Sequence, residues 1–103
     1  MGKTVVNGNF EWDEEKNAMN VKKHGIDFEM VLPAFSDPCF FERYDEIHST
    51  TRETRYIGIG RATDFVVVFT SYTERKRIRL ISARLATSQE ERIYYEHCKN
   101  FNA

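Results

Sequence analysis

Apolar and polar positions alternate most clearly in the second half of this 103-residue chain. In 77–84, Ile78 and Leu80 alternate with Arg77 and Arg79, the period-two pattern of a strand with one apolar face. In 55–61, Ile57 and Ile59 share one face, with Gly58 and Gly60 opposite. Between them, 65–73 opens with the largely apolar run Phe65–Tyr72, suited to a central strand covered on both sides. The joins are short, at Asp64 and around Glu74–Lys76, so the three strands read as an antiparallel meander. Thr87-Ser88-Gln89-Glu90 then has capping-box spacing, predicting a helix over 88–100 with Ile93, Tyr94, His97, Cys98 and Phe101 on one stripe.

The first half is organised differently. Residues 1–9 read as a loose leader before one domain at 10–103, which opens with the short strand Phe10-Glu11-Trp12. Asp13 is a good N-cap, Glu14 and Glu15 suit the helix dipole, and the helix should stop at Gly25 after His24. Its apolar stripe, Ala18, Met19 and Val21, is narrow. Lys16, Asn20 and Lys23 share another face with Asn17 and His24, either solvated or open to polyanions. Asp27 should cap a second helix through Phe35, burying Phe28, Val31, Leu32 and Phe35, with Pro33 kinking or shortening it. A turn at Ser36-Asp37-Pro38, a strand over 39–44 and a polar loop over 45–54 complete the order. The pattern is α+β on a mainly antiparallel sheet, with two N-terminal helices and one C-terminal helix.

Charge changes this picture more than composition does. The net charge is only −1, yet residues 1–50 hold five Lys/Arg against ten Asp/Glu, and 51–103 hold ten against six. The basic half favours an acidic or nucleic-acid partner. Cys39 and Cys98 fit no metal-ligand spacing and suggest reduced thiols in a cytoplasmic protein. No run is long and apolar enough for a membrane span, and there is no signal-peptide pattern.

The available chemistry is that of cations. The three histidines lack metal-site spacing, and Gly58-Ile59-Gly60 lacks the rest of either phosphate-binding glycine fingerprint. Arg75–Arg84 holds five cations and no acid, and Arg84 stands between a strand exit and a helix N-terminus. Guanidinium groups beside helix N–H groups suit a phosphate. The alternatives are plain: Arg84 pairs with Glu90 or Glu53, and Lys23 and His24 cap their helix. RNA cleavage by 2′-hydroxyl attack needs a base and cations to stabilise developing charge, and no metal.

Phe10-Glu11-Trp12-Asp13, Lys16, Asn20, Lys23-His24-Gly25 and Asp27-Phe28 resemble the opening of BrnT-type ribonuclease toxins. The likeness continues through Phe35–Pro38, Asp45, His48, Glu53–Arg55, Ile57–Gly60, Ile78–Arg84, Ala86-Thr87 and Glu90, Arg92, Tyr94 and Glu96. The resemblance implies a RelE-like fold and a metal-independent, cofactor-free endoribonuclease that blocks translation. Its implied partners are RNA, a ribbon-helix-helix antitoxin and, through that complex, operator DNA. Carried over, the catalytic candidates are Lys23, His24, Arg79 and Arg84, with Glu53 and His48 as RNA or phosphate contacts; the chain's cation chemistry adds Arg61 and Arg77 to those contacts. The alternative is a non-catalytic module that binds an antitoxin and contributes to transcriptional autoregulation.

Overall fold

The computed structural model describes residues 2–101. Six strands form one sheet in the order β1-β2-β6-β5-β4-β3. They are β1 (Thr4–Asn7), β2 (Phe10–Asp13), β3 (Phe41–Tyr44), β4 (Arg55–Thr63), β5 (Val66–Glu74) and β6 (Ile78–Leu85). The α+β class and the β4-β5-β6 meander stand as expected. One pairing is parallel, β2 with β6 through Phe10–Ile78 and Glu11–Arg79. The expected loose leader is corrected: Thr4–Asn7 pair antiparallel with β2, and Gly8 at φ 60° makes the turn.

Three helices accompany the sheet, α1 (Glu14–His24), α2 (Phe28–Val31) and α3 (Ser88–Phe101). The caps of α1 are those the sequence prescribes. Asp13 accepts from the N–H groups of Glu15 and Lys16, and Gly25 closes the helix at φ 71°. Asp27 caps α2 by accepting from the Glu29 N–H. Pro33 cuts that helix to one turn, and a 3₁₀ segment, Leu32–Ser36, continues it.

On one face of the sheet, Trp12, Phe28, Val31, Val68, Tyr72 and Leu80 form the main core. Phe35 joins Phe10, Phe40 and Tyr72, with ring centroids about 5 Å apart. Gly58 and Gly60 make room for that cluster. A Cβ on Gly58 would lie 2.1 Å from the Phe40 ring, and one on Gly60 2.7 Å from it. Their absent side chains serve packing. On the opposite face a smaller core of Cys39, Ile59, Val67 and Tyr94 lies beneath α3.

Several side chains depart from the sequence pattern. Phe65 is 95 % exposed because it falls in the β4–β5 turn. On α3 only Tyr94 is fully buried, while Ile93 and Phe101 are exposed. Cys39 and Cys98 are not reduced thiols: they form a disulfide, with Cα atoms 4.8 Å apart, tying the lead-in of β3 to α3. Sequence spacing could not foresee this because 59 positions separate them.

Helix α1 is turned away from its expected face. Asn20 is 6 % exposed, whereas Met19 is 70 % exposed and Val21 is also out. The Asn20 amide donates to the carbonyls of Ile26 and Ala83, both at 2.8 Å, and its oxygen accepts the Ala83 N–H at 3.0 Å. β2 pairs with β6 only at its start, so the edge beside Ala83 lacks a strand partner. Asn20 supplies both missing backbone bonds.

Candidate functional site

The arginines of β6 owe their arrangement to one irregularity. Simple alternation would send Arg79 and Arg84, five positions apart, to opposite faces. The register instead shifts between Ser71–Ser82 and Tyr72–Leu80, leaving Ile81 as an extra residue in β6. This bulge resets the alternation. Leu80 and Ala83 both enter the main core, and Arg79 and Arg84 both stand on the other face. Their partners on β5, Thr73 and Phe69, are four residues apart, so the Cα atoms of the two arginines are about 13 Å apart along the strands. Ser71 and Ser82 lie opposite each other between them. Arg55, opposite Thr73, and Arg43, opposite Ile57, share that face by the same register.

Each β6 arginine has a carboxylate beside it. Arg79 Nη1 donates to Glu11 at 2.5 Å, and Arg77 lies 3.8 Å from the same carboxylate. Arg84 meets Glu90 through two bonds, at 2.7 and 2.9 Å, with its guanidinium 4.2 Å from the centroid of the Phe69 ring. Glu90 is also the capping-box acid: it accepts the Thr87 N–H at 2.9 Å, while its own N–H donates to Thr87 Oγ1 at 3.2 Å. The Arg84 bond, together with those from Thr87, holds the Glu90 carboxyl below the usual range against the opposing effect of burial. A small pocket of about 240 Å³ between sheet and α3 is lined by Arg43, Ile57, Phe69, Thr87, Gln89 and Glu90, among others.

Lys23 and His24 end α1 on the other side of the β6 edge. With Lys16, Met19, Asn20 and Lys22 they line a cleft of about 710 Å³ whose opposite wall is Ile81 and Ser82. Those two residues form the bulge region between Arg79 and Arg84. The four predicted catalytic residues are therefore distributed around one edge of one strand.

The other candidates lie apart. Glu53 is engaged by Arg55 at 2.9 Å and Arg75 at 3.4 Å, and its carboxyl is lowered chiefly by Arg55. His48 Nδ1 bonds the buried Asp45 at 2.8 Å in the ordered 45–54 loop. Arg61 sits over Tyr94 and Tyr95, its guanidinium about 6 Å from both ring centroids.

Sequence reasoning missed Asp37, which it read only as a turn residue. Its carboxylate accepts from the Cys39 N–H at 2.9 Å, the Arg61 N–H at 2.8 Å and the Tyr94 hydroxyl at 2.5 Å. Burial pushes this carboxyl up, but the donors and the Arg61 charge outweigh it and leave it below its ordinary value. Burial and Asp37 raise Tyr94 to about 12. Arg43, Arg55, Ser71 and Ser82 were also missed, since only register brings them to the Arg79–Arg84 face. Among the described residues, no three His, Cys, Asp or Glu side chains gather as metal ligands, and no helix is long and apolar enough to cross a membrane.

Architecture and charge define the class: a small α+β domain with arginines on one sheet face and a lysine-lined cleft at that sheet's edge. The family model described as ribonuclease toxin, BrnT, of type II toxin-antitoxin system matches residues 12–90, and the chain belongs to that family. It is similar in fold to the Brucella abortus ribonuclease toxin BrnT, whose crystal structure was solved at 1.1 Å resolution. The two share 22% identity at a TM-score of 0.56, over 75% of this chain and 94% of the Brucella chain. Comparison with curated proteins gave no match. Family membership implies an antitoxin partner and an RNA target.

Proposed function

We propose that this chain is a metal-independent endoribonuclease that inhibits translation in the cytoplasm until an antitoxin binds it. The observation that carries this reading is the Ile81 bulge, which turns Arg79 and Arg84 to one face. From about 13 Å apart, two long side chains can converge on a phosphate above the Ser71–Ser82 pair. Glu11 and Glu90 then act as positioning carboxylates that fix the guanidinium planes. The 2′-hydroxyl attacks the adjacent phosphorus, the bond to the 5′-oxygen breaks, and a 2′,3′-cyclic phosphate and a 5′-hydroxyl result. His24 or Lys23, across the β6 edge, takes the 2′-hydroxyl proton, and a proton is delivered to the leaving oxygen. Arg79 and Arg84 stabilise the charge on the phosphorane. Arg77 extends the phosphate track beside Arg79. Arg61 and His48, apart from that edge, are further RNA contacts in this reading, and Glu53 orients Arg55 and Arg75. The antitoxin is of ribbon-helix-helix type, and the pair binds operator DNA.

The test is RNA cleavage by purified protein in EDTA, with growth arrest on induction read in parallel. Arg84→Ala and Arg79→Ala should each lower cleavage by roughly 10²–10³-fold while the folded circular-dichroism spectrum persists. Full cleavage in both variants, or loss of native activity in EDTA, would overturn the mechanism. One observation favours a second reading, a binding module without activity: Arg79 and Arg84 already have carboxylate partners. Absence of native cleavage and toxicity, with antitoxin binding intact, would select that reading.

A further inference from the structure

Two groups of this chain's cations stand in contrast. Arg55, Arg75, Arg77, Arg79 and Arg84 lie within ion-pair distance of Glu53, Glu11 or Glu90. Lys16, Lys22 and Lys23 on α1 are exposed, and none has an ion pair among the described residues. The acids of that helix, Glu14 and Glu15, occupy the first turn, away from Lys22 and Lys23.

The same surface is apolar. Met19 stands among the three lysines and lines the 710 Å³ cleft with them. His24 lines that cleft and also a second groove of about 430 Å³, walled by Ile26, Met30, Pro33, Ala62, Val66 and Leu85, among others. The two depressions therefore run on from each other around the C-terminal end of α1. Met30 and Leu85 are 60 and 59 % exposed. Methionines along an open groove, bordered by unpaired lysines, match a protein segment with an apolar face and acidic flanks. RNA would use the lysines but leave the methionines and Leu85 without a partner.

We propose that this continuous surface seats an acidic amphipathic helix of the antitoxin, its apolar side on Met19, Met30 and Leu85 and its carboxylates on Lys16, Lys22 and Lys23. The inference rests on the reading of the chain as a toxin held by an antitoxin. It places inhibition beside the proposed catalytic cleft, because Lys23 and His24 line the surface that the helix would cover. The arginine face, with its own carboxylates, contributes less to antitoxin affinity.

The experiment is calorimetric titration of the full chain with its purified cognate antitoxin. The native arm comes first: failure to bind would overturn the antitoxin reading itself. Given native binding, Met19→Asp should weaken affinity about 30-fold or more, as loss of an interface anchor does. Lys16→Glu with Lys22→Glu should weaken it about 10-fold and flatten its dependence on salt. Arg77→Glu should leave affinity within about threefold, and Met19→Asp should keep its thermal melt. Native affinity in both α1 variants would overturn the docking surface alone. So would either of two other outcomes: α1 variants that lose RNA binding but keep the antitoxin, or that only convert a self-associated chain to monomer.

Discussion

Helices α1 and α3 flank the same sheet and are held to it by opposite means. Helix α3 docks through one buried ring, Tyr94, 1 % exposed, backed by the Asp37 bond, the disulfide and the Glu90–Arg84 pair. Helix α1 docks through an amide. Asn20 is its buried residue, joined by three bonds to Ile26 and Ala83, and Asn17 bonds the Phe28 N–H at 2.8 Å. The difference teaches that a helix need not spend its apolar residues on its own domain. With polar anchors holding α1, Met19 and Val21 stay outside, available to a partner.

The disulfide is the largest expected effect on the α3 side. Cys39→Ser should destabilise the oxidised protein by about 4 kcal/mol on the loop-entropy relation, given the 59-position separation. Urea unfolding checks it: dithiothreitol should bring the native chain to the stability of the variant and leave the variant unchanged. Equal stability with and without the bond would remove this asymmetry between the helices.

Asn20→Leu attacks the other anchor, and the two pictures of α1 differ in sign. If α1 were an ordinary amphipathic helix, a larger apolar residue at a buried position would stabilise it. Here Ala83 would lose partners for both its N–H and its carbonyl, and Ile26 would lose one for its carbonyl. Stability should fall by about 3 kcal/mol. A rise in the urea midpoint would refute polar docking.

Local chemistry was legible in the sequence where a few adjacent residues decide the outcome. Asp13, Gly25, Asp27, Pro33 and the Thr87–Glu90 box act as their types dictate, and the alternation of Ile78 and Leu80 fixes which face of β6 is buried. What escaped depends on residues distant in the chain. The β2–β6 pairing leaves an open edge, that edge calls for Asn20, and Asn20 sets the rotation of α1. Alternation likewise predicts opposite faces for Arg79 and Arg84 unless Ile81 bulges, and the residues around Ile81 carry no Gly or Pro to mark it. Asp37 reads as a turn former because Tyr94 and Arg61 meet it only in the fold.

The smallest effect expected is also the one that pH should resolve. Tyr94→Phe keeps the ring and removes the donor to Asp37, costing about 1.5 kcal/mol at neutral pH. In the native chain Asp37 titrates lower folded than unfolded, so its contribution is present above its ordinary value, 3.8, and is lost as pH falls through the folded value. Tyr94 is shifted upward, from 10 to about 12, so its contribution is whole below pH 10 and is lost as pH rises toward 12. In the Phe variant the alkaline loss from this group should vanish. The acid loss should shrink without vanishing, because the Cys39 and Arg61 amides still donate to Asp37. Urea midpoints of both proteins across pH measure this as a difference that narrows at both extremes. A constant difference from acid to alkali would mean that the hydroxyl contributes through packing alone, and that the Tyr94–Asp37 contact is not a titrating anchor of α3.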